Sequence, residues 1–404
     1  MPDRARCARD ASMRIPPHTE PESNRLRIAV VTPWRLDDPD AWSGMIPLIV
    51  AALSDVADVV PLSTAQQPTS LLDRGAARLL GAVSSRSYLW GFGLATAIAR
   101  GRSVRRRIRA AAPDVVLGVV ASTDLAFLGD VGVPVVQVSD ATFAAIRGFY
   151  PMFSNLHPLS SLQAEIIAER STRATDVFVA SSQWAIDSLV RDYAVGTHQC
   201  VLAPTGPGIE PLTAPTREDS APHVLNALLV ASDWHRKGGD VAVEAVRRAQ
   251  DRGTQVVLTI VGDAPAGLPE WCRARGRLDP AALSAEYARA DVLLELTSAN
   301  AAGVTLTDAA AHGLPVIAAN VGGVASIVRD DETGVLVGAD TDSPHELAEA
   351  AAEALPPFAD PAFRSRLSEA ARARWASDLN WDEWARRTLS ACVRAREERE
   401  ARRR

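Results

Sequence analysis

The stretch that decides the fold is Asn300-Ala-Ala-Gly303-Val-Thr-Leu-Thr-Asp308-Ala-Ala-Ala-His-Gly313-Leu-Pro315-Val-Ile-Ala-Ala319. Gly303 turns a loop into a helix, and Thr307, Asp308 and the three alanines continue it. Gly313 supplies the left-handed cap and Pro315 prevents the helix from resuming. Val316 to Ala319 reads as a short, fully buried strand, and Gly322-Gly323 opens another tight turn. A helix that begins at a glycine beside a parallel sheet aims free backbone N–H groups and a positive dipole end outward. That geometry suits a phosphate at Gly303, Val304 and Thr305. Asp308, about one and a half turns inside the helix, is then placed to reach the hydroxyls of a ribose.

The same strand-and-helix alternation extends in both directions. Leu26 to Pro33, Val115 to Val120, Pro134 to Val138 and Thr175 to Ser181 are apolar runs of the kind buried on both faces of a parallel sheet. Val224 to Ala231, Val256 to Val261 and Asp291 to Glu295 repeat the pattern later in the chain. Three strand ends carry chemistry. Ala41-Trp42-Ser43-Gly44 follows the first strand and opens a helix at Met45, so Ser43 and Gly44 present backbone donors to an anion. Ser139-Asp140-Ala-Thr-Phe143 lies at a carboxyl strand end, where ligands of open parallel sheets bind. Asp140 there is open to two readings, a contact to sugar hydroxyls or a cap on the next helix. Arg236-Lys237-Gly238-Gly239 brings two cations and a close-approach glycine to a third strand-to-helix junction. Lys237 is the firmer phosphate ligand, and Arg236 is equally able to face solvent.

The chain of 404 residues is 47% hydrophobic and 23% charged, which is globular and long enough for two domains. A net charge of -6 speaks against a nucleic-acid-binding protein. Cys7, Cys200, Cys272 and Cys392 lie far apart with no CxxC pair, which fits a reducing compartment without structural zinc. No apolar run reaches membrane-spanning length, and the charged first two dozen residues lack the apolar core of a signal peptide. The cytoplasm is the expected location. Arg102, Arg105, Arg106, Arg107 and Arg109 form a basic helix face. Its ordinary reading is a solvated surface; the sharper one is peripheral contact with an anionic membrane at its inner face. Asp38-Pro39-Asp40 spells DxD, but a proline between carboxylates in a surface loop is a turn signal, and no metal is expected.

Taken together, these segments resemble the family 4 (group 1) retaining glycosyltransferases, which have the two-domain GT-B fold. In that family a Glu precedes the helix-opening glycine and a second Glu follows eight positions later, before Ala-x-Ala-x-Gly-x-Pro-Val. Here the two positions hold Asn300 and Asp308. Trp-Ser-Gly, Ser-Asp-Ala-Thr-Phe and Asp-Trp-x-Arg-Lys-Gly-Gly resemble one bacterial subgroup, in the right order. The resemblance implies an α/β chain of two Rossmann-like domains facing across a cleft. It implies a disordered extension over 1–25, an acceptor domain over 26–206, a donor domain over 207–372 with the hinge near 206–222, and helices crossing back over 373–404. The implied reaction moves a sugar from a nucleotide-diphosphate sugar, used as co-substrate with no further cofactor, to an unidentified acceptor such as a surface polysaccharide, a lipid or a small molecule. Lys237, Arg236, Asn300 and Asp140 are then the catalytic set. Ser43, Gly44, Gly238, Arg277, Gly303, Val304, Thr305 and Asp308 bind the donor, with Arg277 beside the base and Asn300 on the sugar hydroxyls. A GT-B sugar-nucleotide epimerase and a non-catalytic nucleotide-sugar-binding protein are the alternatives, the second because Asn300 lacks the family's charge.

Overall fold

The computed structural model describes residues 25–38, 41–211, 224–338 and 343–404. The expected N-terminal extension, most of the expected hinge and the Pro39-Asp40 half of the acidic loop lie outside them. The first domain carries strands β1 (Arg27–Thr32), β2 (Asp58–Ser63), β3 (Val115–Val119), β4 (Val135–Ser139), β5 (Val177–Ala180) and β6 (Cys200–Leu202). Its helices are α1 (Met45–Val56), α2 (Leu71–Val83), α3 (Leu94–Ala111), α4 (Ser122–Leu125), α5 (Phe143–Ile146), α6 (Pro158–Arg173) and α7 (Gln183–Tyr193). The second domain has β7 (Leu225–Ala231), β8 (Val256–Gly262), β9 (Cys272–Gly276), β10 (Val292–Glu295), β11 (Val316–Ala319) and β12 (Gly334–Val337). Its helices are α8 (Gly239–Asp251), α9 (Pro280–Arg289), α10 (Val304–His312), α11 (Pro344–Ala354) and α12 (Pro361–Ser377), and α13 (Trp381–Ala401) ends the chain.

Each domain is built on one parallel six-stranded sheet, ordered β2-β1-β3-β4-β5-β6 in the first and β12-β11-β10-β7-β8-β9 in the second. The apolar runs dictate this. Ile28 and Val30 of β1 pack against α1, while Ala29 and Val31 pack on the opposite face with Val104 and Ile108 of α3. In β7, Leu229 faces Val246 of α8, and Leu228 faces Leu306 of α10. A strand apolar on both faces is stable only between two helix layers, so both sheets are doubly wound. The strand order reverses between β1 and β3 in the first sheet and between β7 and β10 in the second, and a crevice opens at each such point.

The last helix crosses over. Trp384, Ala385, Ala391, Cys392 and Ala395 of α13 are buried in the first domain's core, against Ile46, Ile49 and Leu53 of α1. α12 packs on α10 of the second domain, and α13, which follows from Trp381, on α1 of the first. Among the described residues no helix is long and apolar enough to cross a membrane.

Candidate functional site

Two loops of the second domain meet at its switch point. One joins β7 to α8 and carries Arg236, Lys237 and Gly238. The other joins β10 to α10 and carries Asn300 and Gly303. Gly238 adopts φ +71°, and a Cβ there would strike the Leu296 carbonyl, so only glycine lets the loops touch. Both helices, like α1, start at a glycine in the left-handed region, with φ +81° at Gly44, +71° at Gly238 and +68° at Gly303. None of the three has a side chain capping its first turn. Most other long helices do: Ser70, His157, Ser182, Asp279, Ser343, Asp360 and Asn380 cap theirs. At α1 backbone carbonyls take over, the Met45 and Ile46 amides donating to Trp42 and Ala41 while Pro47 has no N–H, and at α8 the Gly239 amide donates to Trp234. The first turn of α10, at Val304 and Thr305, is the start best placed to offer amides to an anion.

Lys237 does not stand free. Its Nζ lies 2.6 Å from Oε1 of Glu295, a fully buried carboxylate at the end of β10. It lies 3.4 Å from the Thr305 hydroxyl, which itself donates to Glu295 Oε2 at 2.9 Å. Asn300 completes the group: its Nδ2 donates to Glu295 Oε1 at 3.1 Å and its Oδ1 accepts the Gly303 amide at 2.8 Å. Lys237, Asn300, Gly303 and Thr305 therefore converge, and Val304 begins the same helix. Arg236 is not a solvent-facing cation. Its guanidinium donates to the Ala299 carbonyl at 3.2 Å and lies 6.0 Å from the centre of the Tyr150 ring.

Asp308 Oδ1 accepts the amides of Gly208 and Ile209 at 2.7 and 3.1 Å, tying α10 to the chain leaving the first domain. Any ribose contact therefore falls to Oδ2. Burial pushes this carboxyl up to about 7, against the lowering effect of those two amides and of Lys237. His312, a turn further on, is structural: its ring bonds the Asp308 carbonyl and the Ser284 hydroxyl at 2.7 Å each and stacks on Tyr287.

Across the cleft, Trp42, Ser43 and Gly44 all have positive φ, at 49°, 58° and 81°. Two consecutive non-glycine residues held there are strained, which is found where the surroundings over-determine a loop. The Trp42 side chain lies by the Asp140 carboxyl and favours its charged form. Burial raises the Asp140 carboxyl to about 6 even so. The helix-capping role belongs to Thr142, whose hydroxyl accepts the Ala145 amide at 3.1 Å, so Asp140 is not the cap. Tyr150 spans the cleft, its hydroxyl accepting the Ala301 amide at 2.9 Å. Arg277 stands apart: it is exposed and 3.8 Å from Asp263 at the β8 turn, with no bond to the Lys237 group.

Glu295 and Tyr150 are the residues that sequence reasoning missed. Glu295 had a signal, a charge ending the apolar run Val-Leu-Leu-Glu, since a buried acid is rarely unpaired. Tyr150 had none, because its partner lies 151 positions away.

Residues 225–356 match the family described as glycosyl transferases group 1. A D-inositol 3-phosphate glycosyltransferase of Xylanimonas cellulosilytica is 30% identical over 297 residues, covering 64% of this chain and 70% of the relative. Among solved structures, a glycosyltransferase from Rickettsia africae superposes with a TM-score of 0.61 at 14% identity, covering 92% of this chain and 99% of its own. Anabaena HepE, solved in complex with UDP, gives 0.61 at 13% identity over 91% of this chain and 100% of its own. Both share the arrangement of two parallel sheets found here, the GT-B fold. By the match of its second domain and by its likeness to that relative along most of both chains, this protein belongs to the group 1 glycosyltransferases.

Proposed function

We propose that this glycosyltransferase moves a sugar from a nucleotide-diphosphate sugar with retention at the anomeric carbon, and that it does so without a metal. The observation that carries the reading is the convergence of Lys237, just before α8, on the glycine-started first turn of α10, across a cleft from the glycine-started α1. Departure of the sugar as a cation-like species leaves a charged diphosphate. Preorganised donors stabilise that charge without reorganising, each worth about 3 kcal/mol in the transition state. Lys237 Nζ, with the amides of Val304 and Thr305, is the diphosphate site, and Gly44 approaches it from the first domain. Arg236, locked against Tyr150 and the Ala299 carbonyl, orders the loop that faces the sugar. Asp140, with its carboxyl near 6, is suited to exchange a proton with an acceptor hydroxyl at neutral pH.

A uridine nucleotide is the first donor to test, because HepE of like fold holds UDP. D-inositol 3-phosphate is the first acceptor, from the name of the relative. The same reading places the protein in the cytoplasm, where sugar nucleotides are consumed, with Arg102, Arg106 and Arg109 exposed on α3 for an anionic surface. The experiment is transfer from UDP-sugars, with and without EDTA, for wild type and Lys237→Ala. Turnover insensitive to EDTA and reduced about a hundredfold in the variant is expected. Equal turnover in the variant removes the phosphate role. Binding of the sugar nucleotide without transfer or hydrolysis turns the reading to a non-catalytic binding protein, and donor conversion with no acceptor turns it to an epimerase.

A further inference from the structure

Glu295 has no place in the chemistry above, yet it is the most enclosed acidic side chain of the site. Its two oxygens collect three side-chain donors from three places: Lys237 before α8, Asn300 in the β10–α10 loop and Thr305 in the first turn of α10. The three N–H groups of Lys237 are accounted for in a definite way. One goes to Glu295 at 2.6 Å, one points to Thr305 at 3.4 Å, and one is left for a ligand. Asn300 is matched to the same carboxylate, because its amide can donate to Glu295 with one end and accept from Gly303 with the other. A carboxylate at position 300 would lie within hydrogen-bond distance of a second one and force a proton onto the pair.

We propose that Glu295 is the positioning residue for Lys237: it pins the ammonium at the start of α10, offsets part of its charge, and requires an uncharged partner at position 300. The proposal rests on the donor-site reading above. A phosphate oxygen about 3 Å from Lys237 Nζ lies within about 6 Å of the Glu295 carboxylate. The carboxylate therefore opposes every anion at this subsite, and it opposes a free nucleoside diphosphate, with its extra negative charge, more than the sugar conjugate. The departing nucleotide is stabilised as it forms and then released. Asn300 is consequently no lost function; the carboxylate of the site has been moved to the strand end.

The test is calorimetric titration of UDP and UDP-glucose, with GDP and ADP and their glucose conjugates alongside. The proteins are wild type, Glu295→Gln, Asn300→Glu, the double variant and Lys237→Ala, with thermal unfolding of each. Glu295→Gln should tighten the diphosphate about tenfold and its sugar conjugate by less, so that the ratio of the two affinities shifts. Asn300→Glu should lower Tm and weaken both ligands, and the double variant should restore Tm and the wild-type ratio. An unchanged ratio in Glu295→Gln, or a double variant no better than Asn300→Glu, overturns the proposal while leaving the donor site intact. A merely structural role for Glu295 would move Tm and leave the ratio alone. Absence of binding by every diphosphate to wild type, or equal binding to Lys237→Ala, removes the donor-site reading and this proposal with it.

Discussion

At the scale of single residues, Asp308 shows how one side chain carries two duties. The expectation gave it a ribose, and the structure has its Oδ1 holding the amides of Gly208 and Ile209. Its carboxyl lies near 7 in the folded protein because burial disfavours the charge. The sign of the linkage follows. Between the unfolded value of about 4 and the folded value, the native form holds a proton that the unfolded chain has lost, so stability falls as pH rises through that window and levels off above it. Asp140, near 6, adds to the lower part of the fall. Asp308→Asn keeps an oxygen for both amides and has no proton to lose. Its Tm should therefore hold between pH 6 and 7 where wild type declines, as read by thermal unfolding in that range. An equally steep decline in the variant would show that Asp308 is ionised throughout.

At the scale of elements, the glycine-started helices decide how closely the two loops approach. Gly238→Ala combines a strained φ with a clash against the Leu296 backbone, which cannot move aside as a flexible side chain could. Gly253→Ala is the control: its φ is +95°, but nothing lies near the added methyl. The first should cost well above the roughly 1–3 kcal/mol of backbone strain alone and the second no more than that, measured by urea unfolding. Equal losses would mean that the loops part readily. The same elements explain what was legible. Strands β1, β3, β4, β5, β7, β8, β10 and β11 were read within a residue or two, because burial on both faces writes a continuous apolar run. The four edge strands went unread, β6 and β12 as well as β2 and β9; in the latter pair a continuous apolar run is missing. Pro61 interrupts the first, and the second, Cys-Arg-Ala-Arg-Gly, is largely exposed. The geometry of the candidate site was legible where it consists of backbone at a glycine, as at Gly303, Gly238 and Gly44. It was illegible where it consists of pairing, since Lys237 and Glu295 are 58 positions apart and the meaning of each depends on the other.

At the scale of the molecule, hydrogen bonds join the two domains to each other and their connecting segments to one another. Tyr150 holds the Ala301 amide, Ser326 takes the Gln183 amide, and the Trp381 indole donates to the Pro207 carbonyl. Tyr150 is the bond nearest the ligand loop, and burial pushes its phenol up to about 12, so it stays a neutral hydroxyl across the physiological range. Tyr150→Phe leaves the Ala301 amide without its partner, which costs about 1–3 kcal/mol in the closed arrangement and little in an open one. The variant should show a larger radius of gyration in solution scattering and a weaker hold on UDP, with Tm nearly unchanged. An identical radius would mean that the other contacts suffice.

The crossing of α13 has a consequence for how the protein is made. A ribosome delivers α1 before the whole second domain and α13 after it, yet Ile46, Ile49 and Leu53 are covered by Trp384 and Cys392. The second domain's core is drawn from one uninterrupted span of the chain and can close while translation continues. The first domain, though synthesised earlier, waits for α13, whereas domains that fold in order of appearance are the usual case. Its apolar sheet face is therefore the surface that a nascent-chain chaperone meets longest.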